Sequence, residues 1–435
     1  MSDATTTANG NAASAPTLAE AIRIWAKVGI LSFGGPTAQI ALMHKVIVEE
    51  NKWLSEQQFL NALGFCMLLP GPEAMQLATY SGWRLHGVLG GLAAGLLFVL
   101  PGAAVILALA TLYAYLGNVP FVNALFLGIK AAVLVIVIEA LVRVSRKALQ
   151  SGEHWIIAAL AFVGLFFLDL PFPLIVIAAA LFGFFRGREA KDDMSEALSH
   201  GQPLLQTLRT VAVWLAIWWL PLLAIAAIAS DTVLPQIGLF FSKLAVVTFG
   251  GAYAVLAYMA QDVVNQFGWL SAGEMMDGLG LAETTPGPLI LVTEFVGFLA
   301  AFREGGFALG LAGALVTLWV TFAPCFLWIF AGAPYIDWIG AQPRLKGALA
   351  AITAAVVGVI LNLSAWFALH VFFAEVSAKK YGFLTVWTPY ITTLDWRVIA
   401  LAALSAFLLF ARHWPLWQML LTASLAGAAL SYAIS

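Results

Sequence analysis

Two short patterns carry the chemistry of this sequence: Phe33-Gly34-Gly35-Pro36 and Pro70-Gly71-Pro72. Glycine and proline break helices. A helix that begins just past such a break directs its free N–H groups, and the positive end of its dipole, at whatever lies in front of it. Both patterns recur, as Phe249-Gly250-Gly251 and Pro286-Gly287-Pro288. Four helix starts, after Gly35, Gly71, Gly251 and Gly287, could together hold an anion with backbone alone. Taken singly, such residues read as packing glycines and kink prolines; duplication in register favours a site.

Ionisable residues flank these breaks. Lys27 and Lys243 each stand six residues before a Phe-Gly-Gly, and Arg23 lies one turn before Lys27 where the second half has Leu239. A charge in apolar surroundings is costly enough to mark a functional candidate, with snorkelling to the interface as the plain alternative. Glu73 follows the first Pro-Gly-Pro and Glu283 precedes the second, while their counterparts are Leu289 and Met67. A carboxylate beside an anion repels it unless protonated or paired, so Glu73 and Glu283 are candidates for coupling to a proton or counter-ion. Glu139 and Glu294 are further candidates, and Glu73 fits equally an acid satisfied by a helix dipole. Ser32, Thr248, Thr284 and Thr285 could donate hydroxyls to an oxyanion or bond back to their own helices. No metal-ligand spacing, phosphate loop or nucleophile motif occurs, so no metal, cofactor or enzymatic activity is expected. Cys66 and Cys325 read as small core residues.

The elements that must position these groups follow from composition. Of 435 residues, 62% are apolar and 10% charged, against about 25% charged in a soluble domain. At about 20 residues per span the apolar content allows about 13 crossings. The chain therefore reads as an all-α polytopic membrane protein embedded in a lipid bilayer. With 21 basic and 23 acidic residues it has no basic face for nucleic acid.

The duplicated motifs keep one offset of 216 positions (249 − 33, 269 − 53 and 286 − 70), with Trp53-Leu54-Ser55 and Trp269-Leu270-Ser271 as the third pair. Two homologous repeats result, 18–185 and 234–435. A tail precedes them (1–17), and a linker with one extra apolar span, 186–233, joins them. The segments 21–31, 36–48, 59–69 and 74–80 are too short to cross a bilayer, which points to broken or re-entrant helices at a transporter's binding site. Ser55 to Gln58 and Ser271 to Glu274 read as capping boxes. Basic residues at Arg143, Arg146 and Lys147 and along the linker mark the cytoplasmic side. The extra span then turns the second repeat over, giving inverted topology. Lys379, Lys380 and Arg397 fall on the opposite side, against the charge rule. Small residues along 87–95 could pack helices within one chain or between two, so a homodimer stays open.

The ordered motifs Phe33 to Pro36, Trp53 to Ser55 and Pro70 to Pro72, with their second-half copies, resemble the long-chain, two-domain members of the chromate ion transporter family over nearly the whole chain. The resemblance implies an inner-membrane secondary carrier that exports chromate and confers chromate resistance, built of two halves of opposite orientation. It places functional residues on Phe33 to Pro36, Pro70 to Pro72, Phe249 to Gly251 and Pro286 to Pro288. Ala252 stands where the first half has Pro36, so the half-sites are not equivalent. A sulfate or general oxyanion carrier shares the same physics; a passive anion channel or a structural membrane protein are the readings of other classes.

Overall fold

The computed structural model describes residues 16–117, 119–187, 204–249, 252–336, 339 and 342–434. Most of the expected N-terminal tail, the linker residues Arg188 and Lys191, and the Gly250-Gly251 pair lie outside them. With no water in a bilayer core to satisfy backbone groups, the chain must bond within its own segments, and it does so as helices almost throughout.

The first half comprises α1 (Leu18–Leu31), α2 (Gly35–His44), α3 (Glu56–Cys66), α4 (Glu73–Leu116), α5 (Pro120–Ala148), α6 (Gly152–Phe166) and α7 (Phe172–Arg186). After α8 (Leu204–Ile228) the second comprises α9 (Leu234–Val247), α10 (Ala252–Gln261), α11 (Ala272–Thr284), α12 (Val292–Gly332), α13 (Pro343–Phe372), α14 (Trp396–Ala406) and α15 (Leu416–Ile434). Among the described residues, five segments are long and apolar enough to cross a membrane: those at 73–116, 120–148, 204–228, 289–335 and 343–372. The short helices end where the sequence requires. Ser55 and Ser271 cap α3 and α11 with reciprocal capping boxes to Gln58 and Glu274, and α2 and α10 each loosen into a π-turn, 45–50 and 262–266.

The segment expected over 74–80 runs further. α4 continues to a sharp turn at His86-Gly87, where Gly87 takes φ +61°, and folds back on itself. A Cβ on Gly82 would stand 2.3 Å from the Gly90 carbonyl oxygen, although eight residues of straight helix would separate the two by about 12 Å. α12 does the same at Gly305-Gly306, with Gly297 and Gly313 in contact. Each repeat thus holds a helical hairpin whose arms touch through bare backbone. Reciprocal contacts mark the tips: His86 Nε2 meets the Pro16 carbonyl at 2.8 Å, before α1, and Val233 N–H donates to Glu304 at 2.8 Å, before α9.

Around the hairpins the core is filled by Trp25, Phe98, Phe241, Phe295 and Trp366, all within 1% of fully buried. Among the described residues the chain also forms an antiparallel strand pair, β1 (Val376–Tyr381) and β2 (Leu384–Pro389). It sits on the α6–α7 turn, where Thr385 N–H donates to the Phe167 carbonyl at 2.7 Å and Lys380 meets Asp169 at 3.2 Å. Lys379 and Lys380 therefore share an end of the bundle with the acidic turn at Asp169.

Candidate functional site

Three of the breaks are described as leading into helices: α2 begins at Gly35, α4 at Glu73 and α12 at Val292 after a single 3-10 turn, 289–291; α10 begins at Ala252, the first described residue past Phe249. Gly34, Gly35, Gly71 and Gly287 all take positive φ, from +77° to +120°, a region in which a side chain would be strained. The breaks are completed across the repeats. Gly71 N–H donates to the Thr248 carbonyl at 2.8 Å, and Gly287 N–H to the Ser32 carbonyl at 2.9 Å. So Pro70-Gly71-Pro72 lies against the end of α9, which leads into Phe249, and Pro286-Gly287-Pro288 against the end of α1, which leads into Phe33. The hairpins close the other side: a Cβ at Gly102 would meet the Pro286 carbonyl at 2.1 Å, and Cys325 Sγ lies against Gly71.

Two buried amides reinforce the breaks and were invisible in the motif reading. Gln39 Nε2 donates to the Gly287 carbonyl at 2.6 Å and Gln76 Nε2 to the Pro70 carbonyl at 2.7 Å. Both side-chain oxygens are buried without a partner. The hydroxyls turn inward on their own helices. Ser32 donates to Val28, Thr248 to Leu244, Thr284 to Leu281 and Thr285 to Ala282, which leaves no hydroxyl proton there for an oxyanion in this conformation.

A cavity of about 370 Å³ opens on the first-half breaks. Pro36, Gly71 and Glu73 line it on one side, and Arg143, Lys147 and His154 on another. The basic side chains come from the last turns of α5 and the first of α6 and share this cavity with the starts of α2 and α4. Arg143 is engaged by Glu139 one turn away, and it also lines a second cavity of about 470 Å³ with Arg146, His413 and Trp414. Tyr253 borders the first cavity and donates its hydroxyl to Glu283 at 2.7 Å. Of the four expected coupling carboxylates, Glu73 lines the first cavity and Glu139 the second, while Glu283 meets the first only through Tyr253. Glu294 lies apart, buried, with Oε2 lacking a partner.

Arg23, Lys27 and Lys243 do not line these cavities. All three are exposed on α1 and α9, and Lys243 Nζ stands 5.7 Å from the Tyr258 ring centre. A second charged cluster escaped the sequence reading. Asp277, 3% exposed on α11, accepts the Tyr113 hydroxyl at 2.7 Å and meets Lys130 Nζ at 3.4 Å. Its members lie on three elements, so no local spacing announces them.

Comparison with known proteins agrees with this architecture. The sequence model of the family described as chromate transporter matches residues 19–184 and 235–428, two regions whose starts are again 216 apart (235 − 19). The chain is 32% identical to a chromate transport protein of Pseudomonas aeruginosa, over 83% of this chain and 82% of the relative. It is 30% identical to one of Cupriavidus metallidurans, over 82% and 84%. A probable chromate transport protein of Synechococcus elongatus is 31% identical over 77% and 80%. No solved structure matches. With its paired breaks, its long apolar helices and a family match across both halves, the chain belongs to the chromate transporter family.

Proposed function

We propose that the chain is a secondary carrier that exports chromate across the inner membrane and so confers chromate resistance. Its two halves then lie in opposite orientation, with the breaks near the middle of the membrane. One observation carries this reading: a single cavity touches both helix breaks of the first half and three basic side chains. A volume of about 370 Å³ equals about a dozen water volumes, room for a tetrahedral dianion and part of its hydration shell. Arg143 and Lys147 attract the dianion and backbone N–H groups at Gly35 to Pro36 and Gly71 to Glu73 hold it, with the matching starts near Phe249 to Gly251 and Pro286 to Pro288 serving the other half-site. Lys27, Lys243 and Arg23 raise the local anion concentration from outside the cavity. Glu73, Glu283, Glu139 and Glu294 are the carboxylates through which a proton or counter-ion gradient acts. The reciprocal contacts Gly71 to Thr248 and Gly287 to Ser32 support opposed halves.

The test is isotopic chromate flux in proteoliposomes, with an imposed proton gradient and, separately, with sulfate on the far side. Gradient-driven chromate movement is expected. Flux that responds equally to sulfate makes the protein a general oxyanion exchanger, and flux that only runs down its own gradient makes it a channel.

A further inference from the structure

We infer that Asp277 is a proton-binding group of the carrier, with the Lys130 ammonium and the Tyr113 hydroxyl holding its charged form; this rests on the transport reading above. Asp277 is buried inside the bundle, yet only one carboxylate oxygen is satisfied. Oδ2 takes the Tyr113 hydroxyl at 2.7 Å and faces Lys130 at 3.4 Å, while Oδ1 is buried without any partner. A half-satisfied buried ion pair is an expensive scaffold, because removing two charges from water costs several kcal/mol per ion and apolar replacements do as well or better. The fold does not require it either. The matching positions in the first half and its partner helix, Asn61 and Lys346, are both exposed. What the arrangement does provide is a vacant acceptor beside a counter-charge with an outlet, since the Lys130 side chain is 29% exposed against 4% for Asp277. A Cβ at Gly273 would come within 3.1 Å of Lys130 Nζ, so glycine there makes room for the amine.

Protonation forms one O–H bond at Oδ1 and dissolves the ion pair, leaving Lys130 charged and the site one unit more positive. The charge change is tied to the transport machinery by α11 itself. This helix carries Asp277 at its middle and Glu283 six residues on, about 9 Å along the axis, and leads through Thr285 into Pro286-Gly287-Pro288. Other charges around the site are Glu274, on the same helix, and Arg303 of α12, which donates to Glu274 and to the Trp269 carbonyl. On α13 and α15, which also pack on α11, Arg344, Lys346, His370 and Tyr432 are the titratable groups.

The experiment has two arms. In proteoliposomes, chromate flux of the wild type should change with an imposed pH gradient, and Asp277→Asn should lose that response while keeping downhill flux. In detergent, without chromate, the infrared pH-difference spectrum should contain a carboxylic acid band that Asp277→Asn abolishes and Lys130→Gln moves to another pH. A gradient response retained in Asp277→Asn, or an infrared spectrum unchanged by both variants, overturns the inference. If the wild type moves no chromate, the transport reading falls and the infrared arm alone decides Asp277. Should Asp277→Asn fail to fold, Lys130→Gln decides both arms: an unshifted band and an unaltered gradient response overturn the inference.

Discussion

Gly71 donates its backbone N–H to the carbonyl oxygen of Thr248 at 2.8 Å, so a break in the first half is satisfied by the helix that precedes the matching break in the second. A buried N–H left without this acceptor costs about 1–3 kcal/mol.

Gly71→Ala should be severe. The residue takes φ +120°, and an added Cβ would stand 2.9 Å from both Cys325 Sγ and Gln76 Nε2. Loss of folded protein on size exclusion, or of about 1–3 kcal/mol of stability, is expected. Gly64→Ala is the control: nothing lies within 4 Å of its Cβ, and helix propensity favours alanine by about 1 kcal/mol. A Gly71→Ala protein as stable as Gly64→Ala would contradict the tight, positive-φ geometry of the break.

The hairpin crossing makes a second demand. Gly313→Ala places a methyl 2.3 Å from the Gly297 carbonyl oxygen, so the arms of α12 must separate. The melting temperature in detergent should fall by an amount equivalent to about 1–3 kcal/mol.

Arg143→Gln and Lys147→Gln should raise the KM for chromate. Charge-assisted hydrogen bonds contribute about 1.5–3 kcal/mol each, which corresponds to about ten- to a hundredfold. Lys27→Gln and Lys243→Gln, on exposed faces, should give smaller effects that fade as salt rises. Flux measured at two ionic strengths separates the pairs.

Outside the spanning segments, His44 offers a pH test. Its Nε2 lies 2.7 Å from Glu56 and its Nδ1 3.2 Å from Glu49, and the hydrogen bond to Glu56 raises its pKa above the usual 6.5. A group whose folded pKa is raised stabilises fully below its unfolded value and loses that contribution as pH climbs through the folded one. His44→Gln should therefore lower the melting temperature in mildly acidic buffer and leave it nearly unchanged in alkaline buffer. Equal losses at both would assign His44 a packing role, since it also meets the Phe59 ring edge-on at 5.2 Å.

The breaks were legible in the sequence because glycine and proline act locally. Gly34, Gly71 and Gly287 each sit where φ must be positive, and Ser55 and Ser271 announce their own helices. The hairpin turns at His86-Gly87 and Gly305-Gly306 carry polar residues, Arg84 and His86 in one and Arg303 and Glu304 in the other, but that the arms fold back until Gly82 meets Gly90 and Gly297 meets Gly313 is a packing outcome that composition does not announce. Asp277, Tyr113 and Lys130 gave no local signal; Tyr113 and Asp277 are 164 positions apart. Lys27 and Lys243 were conspicuous for the opposite reason, being charges in apolar runs, and both turn out to face outward. The β1–β2 hairpin was read only as basic residues against the charge rule. Its docking is tertiary, with Thr385 N–H donating to the Phe167 carbonyl at 2.7 Å.

The crossed hydrogen bonds also bear on ancestry. A chain with one half alone would have a Gly71-type amide and a Ser32-type carbonyl but neither mate, and would have to borrow both from a second copy. Fusion of two such copies supplies the mates at fixed concentration and frees each repeat to drift separately. The Asp277 and Glu283 carboxylates in one half, and the basic cavity beside the breaks of the other, are the kind of divergence that an obligate pair of identical subunits could never acquire.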